Sequence, residues 1–394
     1  MFHVKQLKKG CDKMIYLDNA ATSFPKPEEV YKAVDECFRV FGANPGRSGH
    51  KLALQAGRAI FNTREVICEL FNIDNPMQII FTSNATDSLN LAIKGILKKG
   101  DHVITSSMEH NSVLRPIKTL EEKGIENTII KCDENGFIDV TEVEKSIRNN
   151  TRLIVMTHAS NVTGTIMPIE EVGKIAKKYG VFFLVDAAQT AGVYDIDVKK
   201  MNIDLLAFPG HKGLMGPQGT GGLYIREGLN LKQMKEGGTG SKSESLLQPE
   251  IIPDKFESGT PNTPGIVGLG AGIKFILDKG IENIRKHEEE LTDYMLKKLA
   301  EIKKVKVYGP QDAKKQASVI SLNIGDLDSS EVSYALDQVF NIAVRSGLHC
   351  APLAHKTIGT FEQGTVRFSI GYFNTKEDID KAVEAIRKIC KKTY

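Results

Sequence analysis

The sequence has 394 residues, 41% hydrophobic and 26% charged, which supplies apolar material for two or three globular domains. A net charge of +3 is too small to argue for a nucleic-acid or membrane partner, and no basic block is interleaved with aromatics. No apolar run approaches the length of a membrane span, so a soluble protein is expected.

The first ten residues lack the apolar core of a secretion signal. Met14 directly precedes the first strand-like run, Ile15-Tyr16-Leu17, so residues 1–13 read as an added leader or an upstream start. The six cysteines (Cys11, Cys37, Cys68, Cys132, Cys350 and Cys390) are far apart, with no Cys-x-x-Cys pair. Neither a metal site nor a disulfide framework is indicated, and reduced thiols fit a cytoplasmic location.

Residues 15–27 form an extended entry closed by Pro25 and Pro27. A helical pattern runs over 28–41, a loop over 44–50, and then an amphipathic helix with Leu52, Ala56, Ile60, Thr63 and Ile67 along one side. From there apolar runs of strand length recur at 78–82, 102–106, 127–131, 152–157, 181–185, 205–208 and 222–226. Helical segments at 86–98, 111–122 and 168–179 lie between some of them. This alternation predicts an α/β domain with a mostly parallel, seven-stranded sheet. Ligands of such sheets bind outside the carboxyl ends of the strands.

The polar residues at those ends are therefore informative. Asn84-Ala85-Thr86 opens a helix and is suited to an anion such as phosphate, or equally to ordinary capping. His110 follows the 102–106 run, and Asn161 follows 152–157. Asp186 directly ends a buried apolar run and needs a partner: a cationic ring nitrogen, an arginine or a backbone cap. Leu205 to Phe208 reads as a buried strand broken by Pro209-Gly210, with His211 and Lys212 immediately after. A lysine there is either a solvated loop charge or, if buried, an amine of lowered pKa. Taken together, a phosphate site at Thr86, a ring face at His110, an acid at Asp186 and a Schiff-base lysine at Lys212 are the parts pyridoxal phosphate requires.

The glycine-rich stretches at 237–241 and 257–264 do not match a phosphate-binding P-loop. Beyond residue 265 the character changes. Helical patterns at 266–279 and 282–303 precede short strands at 318–323, 342–345 and 365–370, and a final helix spans 376–391. The expected organisation is an N-terminal segment (1–27) packing with the small domain, a large cofactor-binding domain (28–264) and a smaller α+β domain (265–394). In the last, Cys350 lies in a loop punctuated by Gly347 and Pro352, and is either an exposed reactive thiol or an inert one. Arg367, within an alternating strand, is suited to clamping a carboxylate or to a structural salt bridge.

The ordered set Tyr16-Leu17-Asp18-Asn19-Ala20-Ala21-Thr22, Met108-Glu109-His110-Asn111-Ser112, Ser160-Asn161-Val162-Thr163-Gly164, Val185-Asp186-Ala187-Ala188-Gln189, Gly210-His211-Lys212 and Ser258-Gly259-Thr260-Pro261-Asn262-Thr263 resembles the class V aminotransferase family. Arg345-Ser346-Gly347-Leu348-His349-Cys350 resembles the loop of cysteine desulfurases and selenocysteine lyases, in the compact form of the group II (SufS-type) enzymes. The resemblance implies a homodimer of pyridoxal-phosphate fold type I. It implies Lys212 as the Schiff-base lysine and proton carrier, His110 stacked on the ring, and Asp186 at the ring nitrogen. Asn161 and Gln189 would lie near the ring hydroxyl and substrate. Ala85, Thr86 and His211 would surround the phosphate, with Thr260 reaching in from the other subunit. Arg367 would hold the substrate carboxylate, and Cys350 would take the sulfur of L-cysteine as a persulfide, leaving alanine for release and sulfur for an acceptor protein. Selenocysteine lyase is the alternative activity. A non-catalytic sulfur-carrier scaffold is a further one, disfavoured by the presence of Lys212 and Asp186. Two positions depart from the family pattern: Asn84-Ala85-Thr86 replaces Gly-Thr-Thr, and Pro209 replaces a serine. Both remove hydroxyls expected near the phosphate.

Overall fold

The structure is a computed structural model describing residues 14–46 and 49–392. The reading of residues 1–13 as a leader, and Cys11 with it, lies outside the described residues.

All seven predicted runs become strands of one sheet. Their spatial order is Ile79–Thr82, Gly221–Ile225, Leu205–Pro209, Phe182–Asp186, Thr151–Thr157, His102–Ser106, Glu126–Ile130. Gly221–Ile225 runs antiparallel to both neighbours and the other pairings are parallel. Strands covered on both faces need apolar side chains on both, which is why Leu205–Pro209 is buried at every position. One close approach explains a glycine: a Cβ on Gly222 would lie 2.3 Å from Cζ of Phe208, its cross-strand partner.

Helices cover the two faces. One core gathers Phe71, Ile79, Ile154, Phe183 and Phe208; a second, on the opposite face, gathers Ile80, Leu89, Val103, Leu153 and Leu205. Helix Thr263–Lys279 contributes Leu269, Ile273 and Ile276 to the first. A further core lies around an antiparallel four-stranded sheet ordered Arg345–Gly347, Thr365–Ser369, Val319–Ile324, Val305–Tyr308. Ile15 and Leu17 belong to that core, and Ile15–Tyr16 pairs in parallel with Ile342–Ala343.

Three elements of the C-terminal half went unpredicted, one being the short helix Pro352–Thr357 after the cysteine loop. Strand Val305–Tyr308 is short and alternates with lysine. Helix Ser329–Phe340 buries only Ser329, Val332 and Leu336, too thin a stripe to register as periodicity, although Asp328 caps it through the Ser330 and Glu331 N–H groups.

Candidate active site

The sheet brings the strand-end residues together. Thr157 is in register with Asp186, and Asp186 with Ala207, so neighbouring parallel strands end at one edge. Beside that edge is a cavity whose lining includes Thr86, His110, Asn161, Asp186, His211 and Lys212. Ala85 and Gln189 line it too, so nine of the residues proposed from sequence meet there or, as Arg367 does through Asn161, directly behind it.

The helix Ala85–Ile96 begins at this cavity. Asn84 caps it by accepting from the Asp87 N–H at 2.9 Å, while the first-turn N–H groups of Ala85 and Thr86 have no intrahelical acceptor. Thr86 Oγ1 lies 2.7 Å from Ser112 Oγ, which lies 2.9 Å from His110 Nδ1. His110 itself caps helix Asn111–Glu121, its Nδ1 accepting from the Ser112 N–H at 3.1 Å. Burial, then the positive charges of Lys212, Arg345 and Arg367, push the His110 imidazole down to about 4. It is a neutral ring, suited to lying against an aromatic face.

Asp186 is 3% exposed, and its Oδ1 accepts from the Ala188 N–H at 2.9 Å. Burial raises its pKa, partly offset by that bond and by Lys212. Of the three partners open from the sequence, the backbone cap is present and no arginine pairs with it among the described residues. Lys212 makes no side-chain hydrogen bond or ion pair among the described residues. Burial, then Arg367, lower its pKa to about 8, against the pull of Asp186. His211 is pushed down to about 4 by burial and by Lys212, and its buried Nδ1 has no hydrogen-bond partner.

These residues fit pyridoxal phosphate. A helix N-terminus with free N–H groups suits a phosphate. The orphaned His211 nitrogen, the buried Asp186 carboxylate and the unpartnered Lys212 amine are polar groups that protein interiors do not leave without purpose. The hydroxyls among this cavity's lining are those of Thr86, Ser112 and Thr157.

The cysteine loop docks on the same place. The Asn111 N–H donates to the Cys350 carbonyl at 2.8 Å, and Asn161 Nδ2 donates to the His349 carbonyl at 2.7 Å. His349 and Cys350 hold φ values of 48° and 58°, a left-handed pair without glycine that costs backbone energy. Cys350 is exposed, whereas Cys37, Cys68, Cys132 and Cys390 are buried. Arg345 Nη2 lies 3.3 Å from Cys350 Sγ.

Arg367 realises the salt-bridge account: Nη2 donates to Asp18 Oδ1 at 3.0 Å, and Nη1 to the Asn161 carbonyl at 3.1 Å. Thr260 is exposed and is not part of this cavity's lining. Sequence reasoning gave no role to Arg345, Asp18, Glu109 or Ser112. Only the cross-strand register Arg345↔Arg367 shows that two arginines face one site. The N-terminal segment was also unforeseen as a clamp. Thr22 Oγ1, the Ser23 N–H and Lys26 Nζ all donate to the His211 carbonyl at 3.0, 3.0 and 2.8 Å, and Ser23 Oγ donates to the Lys212 carbonyl at 2.8 Å.

The family model for aminotransferase class-V matches residues 15–382. A protein of Methanothermobacter thermautotrophicus described as a probable cysteine desulfurase is 38% identical over 381 residues, covering 95% of this chain and 94% of the relative. One from Pyrococcus abyssi, with the same description, is 38% identical over 390 residues, covering 96% and 94%. Among solved structures, an apo cysteine desulfurase from Thermococcus onnurineus superposes with a TM-score of 0.91 at 38% identity, covering 96% of this chain and 95% of that one. The Escherichia coli cysteine desulfurase CsdA gives 0.87 at 28% identity, covering 96% and 95%.

Proposed function

The chain belongs to the class V aminotransferase family, and from that premise we propose that it is a pyridoxal-phosphate-dependent cysteine desulfurase converting L-cysteine to L-alanine. The observation that carries this reading is the docking of the Cys350 loop, through Asn111 and Asn161, onto the cavity holding Lys212, Asp186 and His110. An aminotransferase has no use for a thiol there.

Bound pyridoxal phosphate supplies an electron sink for the substrate's Cα. The residues do the rest. The helix at Ala85 and Thr86, with His211, would hold the phosphate end, and Asp186 would keep the ring nitrogen protonated. Neutral His110 covers the ring face. Lys212, with a pKa of about 8, is poised to take a proton from Cα and return one. Arg367 holds the substrate carboxylate, and Asn161 links that arginine to the cysteine loop. Cys350 Sγ bonds to the substrate sulfur as the substrate's C–S bond breaks. The bonding pair stays with the carbon skeleton, which takes up a proton and leaves as alanine. Arg345 donates to the attacking sulfur. The resulting persulfide passes its outer sulfur to an acceptor protein, with iron–sulfur cluster assembly as one such use.

A homodimer is part of the same reading. Phe38, Val40 and Leu54 are 69%, 53% and 63% exposed on adjoining N-terminal helices, an apolar surface that a second copy would cover. Thr260, away from its own cavity, is free to serve the partner's. A cytoplasmic location fits the spread of unpaired cysteines, and among the described residues no helix is long and apolar enough to cross a membrane.

The test is product analysis from L-cysteine and L-selenocysteine, with alanine, sulfide and selenide quantified for the wild type and Cys350→Ala. Loss of alanine formation from cysteine, with selenocysteine turnover retained, is expected because selenide leaves without a nucleophile. Undiminished cysteine turnover by Cys350→Ala would sink the proposal. Wild-type turnover of selenocysteine alone would make the protein a selenocysteine lyase.

A further inference from the structure

Arg367 is not open to an arriving ligand. Its side chain is 1% exposed, whereas that of Asp18, which covers one end, is 20% exposed. Nη2 is held by Asp18 Oδ1 at 3.0 Å, Nη1 by the Asn161 carbonyl at 3.1 Å, and Nε is buried without a hydrogen-bond partner. A carboxylate grips an arginine best through two parallel N–H···O bonds. Each Nη keeps a second N–H, but the guanidinium is buried, so a carboxylate reaches these donors only if one of the present acceptors gives way. The Asn161 carbonyl is backbone and fixed. Asp18 is a side chain on the solvent side.

The charge balance favours such an exchange. Arg345 stands directly across the strand pair from Arg367, and like charges facing each other on adjacent strands repel. Among the described residues Asp18 is the one carboxylate ion-paired with either arginine. Two guanidiniums thus share a single ion-paired carboxylate.

Resting on the reading of Arg367 as the substrate clamp, we propose that Asp18 is an internal competitor for the substrate's α-carboxylate. It pairs with Arg367 in the free protein and yields Nη2 when a carboxylate arrives. Asp18 lies on a segment fastened at both ends, by Ile15–Tyr16 on Ile342–Ala343 and by Thr22, Ser23 and Lys26 on the carbonyls of His211 and Lys212. Between these ends the Asn19 and Ala20 N–H groups are held by the Ser369 carbonyl and Oγ, so the yielding part is the Asp18 side chain with the turn in which the Ala21 and Thr22 N–H groups bond the Asp18 carbonyl. Asp18 keeps a buried guanidinium paired between turnovers and lowers affinity for every carboxylate, product included. It is a specificity-determining residue: every carboxylate must displace it, so a ligand with further anchors in the site is favoured over a simple carboxylate.

The experiment titrates holoenzyme with 3-(methylsulfanyl)propionate, a cysteine-shaped carboxylate with neither amine nor thiol, by isothermal calorimetry. Asp18→Asn is expected to bind about tenfold more tightly than wild type, the equivalent of one charge-assisted hydrogen bond no longer contested. Arg367→Lys is expected to bind more weakly. If Arg367→Lys weakens binding while Asp18→Asn leaves it equal or weaker, Asp18 merely props the arginine and the competition is refuted. Unchanged binding by Arg367→Lys would remove the clamp reading itself. Asp18→Ser serves should the asparagine variant fail to fold. Unmodified protein gives an independent readout: saturating ligand is expected to raise amide exchange at Ala21 and Thr22, and added protection there would overturn the inference.

Discussion

Lys212→Met removes an ammonium that the fold holds at a cost. Burial, then Arg367, lower its pKa from 10.5 to about 8, and Asp186 returns only part of that loss. At about 1.36 kcal/mol per pKa unit the gap corresponds to about 3 kcal/mol. Lys212 lines two cavities, so it keeps some contact with water, which trims the figure toward about 2 kcal/mol. The sign follows from proton linkage. Below about pH 8 both folded and unfolded chains carry the proton, and the folded chain carries it at a penalty. Between about 8 and 10.5 the folded chain sheds it first, and the penalty fades as pH rises through that window. Lys212→Met should therefore stabilise cofactor-free protein at pH 7 by about 2–3 kcal/mol and by under about 1 kcal/mol at pH 10. With roughly 2.1 cal/mol/K of unfolding entropy per residue, the gain at pH 7 raises the melting midpoint of the 394-residue chain by about 3 °C. Scanning calorimetry of wild type and variant at the two pH values measures it. A variant no more stable at pH 7, or one with an equal gain at pH 10, would refute a buried, destabilised lysine. Such a cost at a functional group is the expected trade of stability for activity.

Glu109 offers a second pH test. It is fully buried at the end of strand Thr151–Thr157, accepting from Ser106 Oγ at 2.6 Å and from the Thr157 N–H, and burial pushes it up to about 8. The folded chain holds this proton while the unfolded one loses it above about 4.5, so wild-type stability should fall as pH rises from about 5 to 8. Glu109→Gln should flatten that decline by a few kcal/mol in urea titrations at pH 5 and 8, whereas parallel declines would show the acid to be ionised. Glu257→Gln breaks a buried pair: both carboxylate oxygens accept from Arg64 Nη2, at 2.9 and 2.7 Å, and Oε1 accepts from the Phe81 N–H at 2.6 Å. Leaving Arg64 unpaired should cost about 3 kcal/mol or more in thermal or urea unfolding, and a loss under about 1 kcal/mol would show the pair to be solvated.

The central sheet strands were legible because strands buried on both faces must be apolar throughout, and that composition survives in a linear reading of runs such as Leu205 to Phe208. Lys212, Asp186, His110 and Thr86 were legible for a related reason. Strand ends in parallel sheets converge, so polar residues just after apolar runs share an edge wherever the strands fall in order. Helix Ser329–Phe340 was not, since its tertiary partners cover only three of its residues. The pairings that give the site its character were likewise decided by the tertiary structure alone. Asp18 and Arg367 are 349 residues apart and Ser23 and Lys212 are 189 apart. Arg345 and Arg367 meet only through the register of an antiparallel ladder. Local composition determines which segments are strand, helix or turn, because those choices rest on backbone and near-neighbour energies. Which charges face one another depends on how separate elements pack and on the register between them, and no local pattern encodes that.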